Sequence, residues 1–453
     1  MNLLDWLRHP ESKTLEFKRD LSSPEGTMRT IVAFANTGGG TLLIGVEDRT
    51  RHVRGVGDPL ALEERLANLI SDQIAPRLVP DIDLLPWRNT HVVAVQVHAS
   101  ALRPHYLKRA GAEAGVFVRV GSTNRRADPE LIRELQRLVR GESFDEQAMP
   151  ELNSDAIDVR VASESFVPVR KLKPADLDTL RLVTRHQGRK VPTVGGYLLF
   201  GKQRALHFPD AWIQAGRFRG EDRSQIIDNK QIRDPPVRAV TTAIEFVQNH
   251  LDRAAEIGAV RRTDRWMLPA VAIREAVINA VVHADYSQRG APIRLAVFDD
   301  RVEFENPGLL PFGLTIDDLR QGVSRLRNRV IGRVFHELGL IEQWGSGIQR
   351  MSAACHEAGL PAPAFEEVGM RFRVTLRTTP SHAPATDEID QAILTALARG
   401  DGWSTGQLAA ETQRSARATR IRLKKLVLRG LVREVGTSPE DPKRRYFAGN
   451  GGA

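Results

Sequence analysis

The chain is 453 residues long, 41% hydrophobic and 27% charged, a balance typical of soluble globular protein, with room for about three domains at ~150 residues each. No apolar run approaches the roughly 18–20 residues of a membrane span, the N-terminus MNLLDWLRHPES lacks the basic-then-apolar order of a secretory signal, and the single Cys355 excludes an internal disulfide and a cysteine-rich zinc site. A cytoplasmic protein is expected, and its net charge of +9 favours polyanionic partners over a membrane.

In chain order, residues 1–141 alternate element types. Leu15 and Phe17 alternate with Glu16 and Lys18 across TLEFK, the period of a half-buried strand. Met28, Ile31, Val32 and Ala35 repeat at helical spacing, and a turn at Gly38-Gly39-Gly40 leads into a strand TLLIGVED. Further strands are predicted at HVVAVQV and VFVRV, and a helix from Asp128 to Val139. A polar stretch over Gly141–Ser154 then breaks the pattern. Residues 155–377 read as two lobes, 155–265 and 266–377, with a soft joint near Arg261–Trp266, and no internal repeat is found. Gly196 to Gln203 (GYLLFGKQ) has the outline of a Walker loop. Four large residues fill its interior, and Gln203 stands where a Ser or Thr would hold Mg²⁺. It reads as a buried strand, and a helicase motor is not expected.

In the second lobe, AIREAVINAVVHADY sets Glu275, Asn279 and His283 four residues apart. Each step of four drifts by only about 40° around a helix, so the three line one stripe. Ile273, Ala276, Val277, Ala280 and Val281 cover the buried sides. Polar groups on so apolar a helix need partners, and a ligand is one kind of partner. Downstream come a strand FDDRVEFEN, then Asn306-Pro307-Gly308, Arg327-Asn328, the turn Gly345-Ser346-Gly347 and a closing strand RFRVTL.

Thr378–Thr386 is rich in Pro, Ser, Thr and Ala and reads as a linker, 378–386. Residues 387–449 predict three helices and a two-stranded wing. The first helix spans Asp387–Arg399. A capping box of Ser404 and Gln407 opens the second, which runs through Glu411. The third puts Thr419, Leu423 and Leu426 on one face and Arg417, Arg420 and Lys424 on another, and ends at Gly430. LVREV and RRYFA pair as the wing. Eight basic and no acidic residues fall between Arg414 and Arg433. That face suits the DNA major groove, with Lys443, Arg444 and Arg445 over the backbone, and two half-sites would call for a homodimer.

Two resemblances follow from these motifs. Glu11 with Glu16, the Asn36–Gly40 turn, Gly45-Val46-Glu47-Asp48 and the later RVGSTN resemble a Schlafen/AlbA-type α+β domain. In nuclease members of that family two glutamates and an aspartate bind a divalent metal, which implies Glu11, Glu16 and Asp48 as ligands of Mg²⁺ or Mn²⁺ and Lys18 as a phosphate contact. Arg103, Lys108, Arg109, Arg119, Arg125 and Arg126 suit nucleic-acid binding without cleavage. The order from Glu275 to RFRVTL resembles the divergent GHKL-type ATP-binding domain of RecG-related proteins. It implies Glu275 as the residue polarising water for ATP hydrolysis, Asn279 as the holder of Mg²⁺ with the triphosphate, and the Gly345–Gly347 turn as a phosphate cradle; His283, Asn306 and Gly308 complete the expected cofactor-binding set. Where typical GHKL folds have Asp-x-Gly-x-Gly, this chain has Asn306-Pro307-Gly308, so that segment supplies no adenine-reading aspartate.

The sequence therefore predicts an α+β multidomain protein: a Schlafen/AlbA-type domain (1–141), a connecting α/β lobe (155–265), a GHKL-like α/β sandwich (266–377) and a winged helix–turn–helix (387–449). The leading expectation is a DNA-binding transcriptional regulator whose GHKL-like domain binds ATP or another ligand. The alternative is a Schlafen-type metal-dependent nuclease acting on RNA or single-stranded DNA.

Overall fold

Strand β1 (Leu15–Lys18) is followed by helix α1 (Pro24–Asn36) and strand β2 (Gly40–Ile44), and the two strands pair in parallel with Glu16 opposite Leu42. Helix α2 (Pro59–Gln73) leads to β3 (Asp81–Trp87) and β4 (Thr90–Val97), giving the order β1-β2-β4-β3. Leu42 and Ile44 face α1 and α2, while Leu43 joins Leu15, Phe17 and Val92 on the other side. Both faces are covered, which is why TLLI is continuously apolar. The hairpin β5 (Phe117–Val120) and β6 (Thr123–Arg126) closes this region.

The computed structural model describes residues 3–251, 253–257, 262–342, 345–378, 388–400, 402–428, 431–435 and 444–449, with the backbone alone at 253–257, 262–266, 388 and 428. The expected linker residues 379–386, Asp387, Gly430 and Lys443 lie outside them. Two compact units emerge, 1–126 with 382–453, and 127–381.

The second unit begins at helix α3 (Pro129–Arg140), capped by Asp128 and ended by Gly141 in the left-handed region at φ 70°. Helix α4 (Val194–Phe200) is buried along its whole length, with the Thr193 hydroxyl accepting from the Gly196 N–H at 3.0 Å. This corrects the strand reading of GYLLF. A short apolar run fits either element, and here the Thr193 cap decides for helix. A single sheet then crosses the expected lobe boundary. Its order is β8-β7-β9-β10-β12-β11, with β7 Ile213–Phe218, β8 Ile226–Ile232, β9 Ile293–Val297, β10 Arg301–Pro307, β11 Ala364–Val368 and β12 Arg371–Arg377. The soft joint expected near 261–266 is instead strand Arg262–Trp266, paired with Arg253–Ile257. One hydrophobic core runs from Met149 to Leu376. Helices α5 (Pro236–His250) and α6 (Ala270–Val282) pack together, and α6 lies against β10. On β10, Val302 and Phe304 enter the core, while Glu303 and Glu305 are covered by Arg223, Arg301 and Arg373.

Helix α7 (Arg329–Glu337) is capped from far away in sequence. The buried Asp145 carboxylate accepts from the N–H groups of Arg329 (2.9 Å), Val330 (2.7 Å) and Ile331 (2.9 Å), and from the Ser143 hydroxyl (2.5 Å). Helix α8 (Gly347–Glu357) packs on α6.

Beyond residue 387 come α9 (Glu388–Ala398), α10 (Thr405–Glu411) and α11 (Ala416–Leu428), then the antiparallel pair β13 (Val432–Val435) and β14 (Arg445–Ala448). Ser404 and Gln407 form the expected capping box. Ile393, Leu397, Leu408, Leu423, Leu426 and Tyr446 form the core of this segment. No helix among the described residues is long and apolar enough to cross a membrane.

Removing the remote cap should loosen α7. Asp145→Ala is expected to cost about 2–4 kcal/mol, since it strands three helix-terminal donors in the core. Denaturant unfolding measures this, and Asp145→Asn, which keeps one acceptor, should fall between the two.

Candidate functional site

Helix α6 is enclosed on nearly every side, with Ala272, Ile273, Ala276, Val277, Ile278 and Val281 in the core. Its polar stripe opens on a pocket that brings together Glu275, Asn279, His283, Asn306, Gly345 and Gly347. These are six of the seven residues expected at the nucleotide site; Gly308 lies outside the lining, with φ 98° and in close approach to Asp285 and Arg327. The rest of the wall is largely apolar, including Leu310, Ile348, Phe365 and Phe372.

Glu275 is 3% exposed and is compensated by Arg350 at 3.0 Å and Arg274 at 3.3 Å. Arg350 stands on the first turn of α8 and also pairs with Glu342 and with the Ser346 hydroxyl at 2.7 Å. Gly347 is where this arrangement needs a glycine. A Cβ there would meet Glu275 Oε2 at 2.6 Å. Gly345, at φ 66°, lies against Ser324. Asn306 donates to the carbonyls of His283 (3.3 Å) and Pro307 (3.2 Å), so its amide NH₂ is committed to backbone. Asn328 donates to the carbonyls of Val282 and Ala284 at 2.8 and 2.7 Å, while its buried Oδ1 has no partner among the described residues. Burial, aided by the Arg327 charge, pushes the His283 imidazole down to about 4, which leaves it neutral near pH 7. Arg327 itself bridges Glu134 and Asp285.

The N-terminal carboxylates are arranged differently. Glu11 accepts from the Phe17 N–H at 2.9 Å, and burial, with Glu16 and Asp48 nearby, pushes it up to about 7. Glu16, placed by strand alternation on a solvated face, is buried instead. Its oxygens pair with Arg119 and Lys18. Arg119 is fully buried, donates to the carbonyls of Ser12 and Leu15 and to Asn124, and stacks over Phe34. It is therefore a core cation and not a nucleic-acid contact. Asp48 lies beyond the end of β2, because Gly45 at φ 104° turns the chain, and it is exposed. Among the described residues no group of three His, Cys, Asp or Glu is disposed to hold a metal ion. As placed, Glu11, Glu16 and Asp48 do not fit the implied Mg²⁺ or Mn²⁺ site. Asn36 binds the backbone of His105 and Phe117 and holds the fold. Arg109, Arg125 and Arg126 are exposed, while Lys108 donates to the Ser71 carbonyl.

On α11, Thr419, Leu423 and Leu426 are buried as expected. Arg417, Arg420 and Lys424 are exposed and bond to no other described residue. Ile421, 54% exposed, shares their face. The β14 region behaves otherwise: Arg444 pairs with Glu434 at 3.2 Å, and Arg445 donates to Gln407 at 2.7 Å and to the Gly402 carbonyl at 3.1 Å.

Comparison with known proteins supports both family readings. Residues 11–128 match the family described as "Schlafen, AlbA_2". Residues 290–376 match the HATPase_c_4 family, described as "Putative ATP-dependent DNA helicase recG C-terminal". That second match takes in Asn306, Gly308, Gly345 and Gly347, and begins after α6. Among solved structures, the crystal structure of the DIP2311 protein from Corynebacterium diphtheriae is similar at 19% identity over 97% of this chain and 92% of that one, with a TM-score of 0.44. The solution structure of the N-terminal domain of a "Putative ATP-dependent DNA Helicase RecG-related Protein" from Nitrosomonas europaea is similar at 26% identity over 28% of this chain and 94% of that one, with a TM-score of 0.23. No curated protein matches the chain.

The residue that sequence reading missed is Arg350. Its position three residues after Gly347, on the helix that the glycine turn opens, was the available signal.

The depressed His283 has a consequence for stability. An unfolded histidine takes up a proton near pH 6.5 and the folded one only near 4, so stability is lost as pH falls through that window. His283→Gln should remove roughly 2–3 kcal/mol of that acid sensitivity, measured as unfolding free energy at pH 7 and pH 4.5. Parallel pH profiles for the two proteins would contradict the assignment.

Proposed function

We propose that the protein is a DNA-binding transcriptional regulator whose second unit binds ATP with Mg²⁺. The observation that carries this reading is the pocket that gathers Glu275, Asn279, His283, Asn306, Gly345 and Gly347 from positions spread over more than 70 residues. The match of residues 290–376 to an ATPase-type family fits it. Asn279 is the residue suited to hold Mg²⁺, and the backbone of the Gly345–Gly347 turn is suited to receive phosphates. Glu275 is in place to orient water, but only once its pairing with Arg350 is broken. Slow turnover, or binding without turnover, is the expected behaviour.

The C-terminal segment supplies the DNA contact. Three helices followed by a strand pair match the element order of a winged helix, and α11 presents Arg417, Arg420 and Lys424 for a groove or for phosphates. Arg444 and Arg445 hold the strand pair to its neighbours and contribute less. A homodimer in the cytoplasm, bound to a two-fold operator, completes the proposal. Ligand occupancy controls DNA affinity only if the ligand binds two arrangements of the chain unequally.

Fluorescence anisotropy on duplex DNA tests this. Replacing Arg417, Arg420 and Lys424 together by Ala should weaken binding at least tenfold and lower the slope of log affinity against log salt by about 2–3. The same triple substitution should leave ATP-dependent thermal stabilisation intact, and Asn279→Ala should abolish that stabilisation. DNA binding unchanged in the triple variant would overturn the DNA-contact assignment. Cleavage of transfer RNA or single-stranded DNA that Glu16→Ala abolishes would favour the nuclease alternative.

A further inference from the structure

A second groove opens beside the nucleotide pocket, and the two share Ser324, Arg325, Leu326, Ile341, Glu342 and Gly345 along their common wall. Its floor is helix α7, on which Arg329, Arg333 and His336 recur at i, i+4 and i+7 and so share one face. Gly332 lies between them. A Cβ there would meet Leu326 at 2.9 Å, so the glycine lets the 324–326 segment lie down on the helix and form the groove's edge.

The charges in this groove are unbalanced. Arg325 gives one N–H to the Phe312 carbonyl at 3.0 Å, and Arg329 pairs with Glu146 at 3.4 Å. His336 contacts the Ile341 carbonyl at 3.2 Å. Glu342, the acidic residue of the lining, is committed to Arg350 and Ser346. Arg333 is half-buried and bonds to no other described residue. A guanidinium drawn partly out of water without an acceptor is poised for an oxyanion, and its fork of donors suits phosphate.

We infer that this groove, through Arg333 with Arg325, holds the terminal phosphates of the nucleotide whose remainder occupies the pocket under Asn279. The inference rests on the nucleotide reading of that pocket and extends it. Gly345 stands where the two cavities meet, so a phosphate chain that passes the Gly345–Gly347 turn enters the groove directly. Arg333 then acts as a specificity residue that counts phosphates.

Calorimetric titration of the full chain with adenosine, AMP and ATP tests it, using wild type, Arg333→Gln and Arg333→Lys. Arg333→Gln should weaken ATP about tenfold and leave AMP within twofold, with Arg333→Lys between. An unchanged melting temperature without ligand verifies folding. If wild type binds ATP and Arg333→Gln binds it equally well, the groove assignment is overturned while the pocket reading stands. If ATP and AMP weaken together, Arg333 supports the pocket and does not count phosphates, and the inference also fails. If wild type binds none of the three ligands, both readings fall. If Arg333→Gln spares ATP but weakens duplex DNA, the groove belongs to a nucleic-acid backbone and the inference is wrong.

Discussion

A carboxylate inside a hydrophobic core sets the terms for the second unit. Glu275 projects from a helix whose neighbours are alanine, valine and isoleucine, and desolvating such a charge costs several kcal/mol unless it is paired. Arg350 and Arg274 pair it. For Arg350 to reach Glu275, α8 must start close to α6, and a side chain at Gly347 would push the Glu275 carboxylate out of that position. The pairing therefore fixes where the Gly345–Gly347 turn lies, and with it one wall of the pocket. Such a pair adds little to stability, but it specifies one arrangement and can be competed for by an anion.

The same logic recurs elsewhere. Asp145 caps α7 from almost two hundred residues away, which orients the helix that carries Arg333. In the first unit, Arg119 is a buried cation whose partners are Glu16 and the backbone of the β1 region. Both cases place a charge in the interior and satisfy it with several acceptors or donors at once, the condition under which burial is tolerated.

Much of this was legible in the sequence, and the misses have physical causes. The α6 stripe, the capping box at Ser404 and the apolar faces of α1 and α11 follow helical periodicity directly, and the structure places them as read. Pairing between distant strands leaves no local mark, so the pattern suggests two lobes, 155–265 and 266–377, where one sheet joins β7 to β9. Strand alternation put Glu16 on the solvent side because it cannot register that Arg119, a hundred residues later, turns that side into an interior. GYLLF lies in a helix that is buried along all seven residues from Val194 to Phe200, and a run buried on every side carries no periodicity to tell helix from strand. Asp48 was placed on a strand because the positive φ of Gly45 that ends β2 is a backbone property. Motif order points to the pocket residues Glu275, Asn279, Gly345 and Gly347, whereas Arg350 carries little signal of its own in an arginine-rich chain.

The proposed regulator depends above all on nucleotide binding in the pocket under α6. The most direct measurement is a crystal structure of the full chain with Mg²⁺ and a non-hydrolysable ATP analogue. With the analogue bound, Mg²⁺ should lie at Asn279, the phosphate chain should pass the Gly345–Gly347 turn, and the terminal phosphate should reach Arg333. A nucleotide bound elsewhere, or a pocket filled by apolar side chains while the analogue is demonstrably bound in solution, would contradict it.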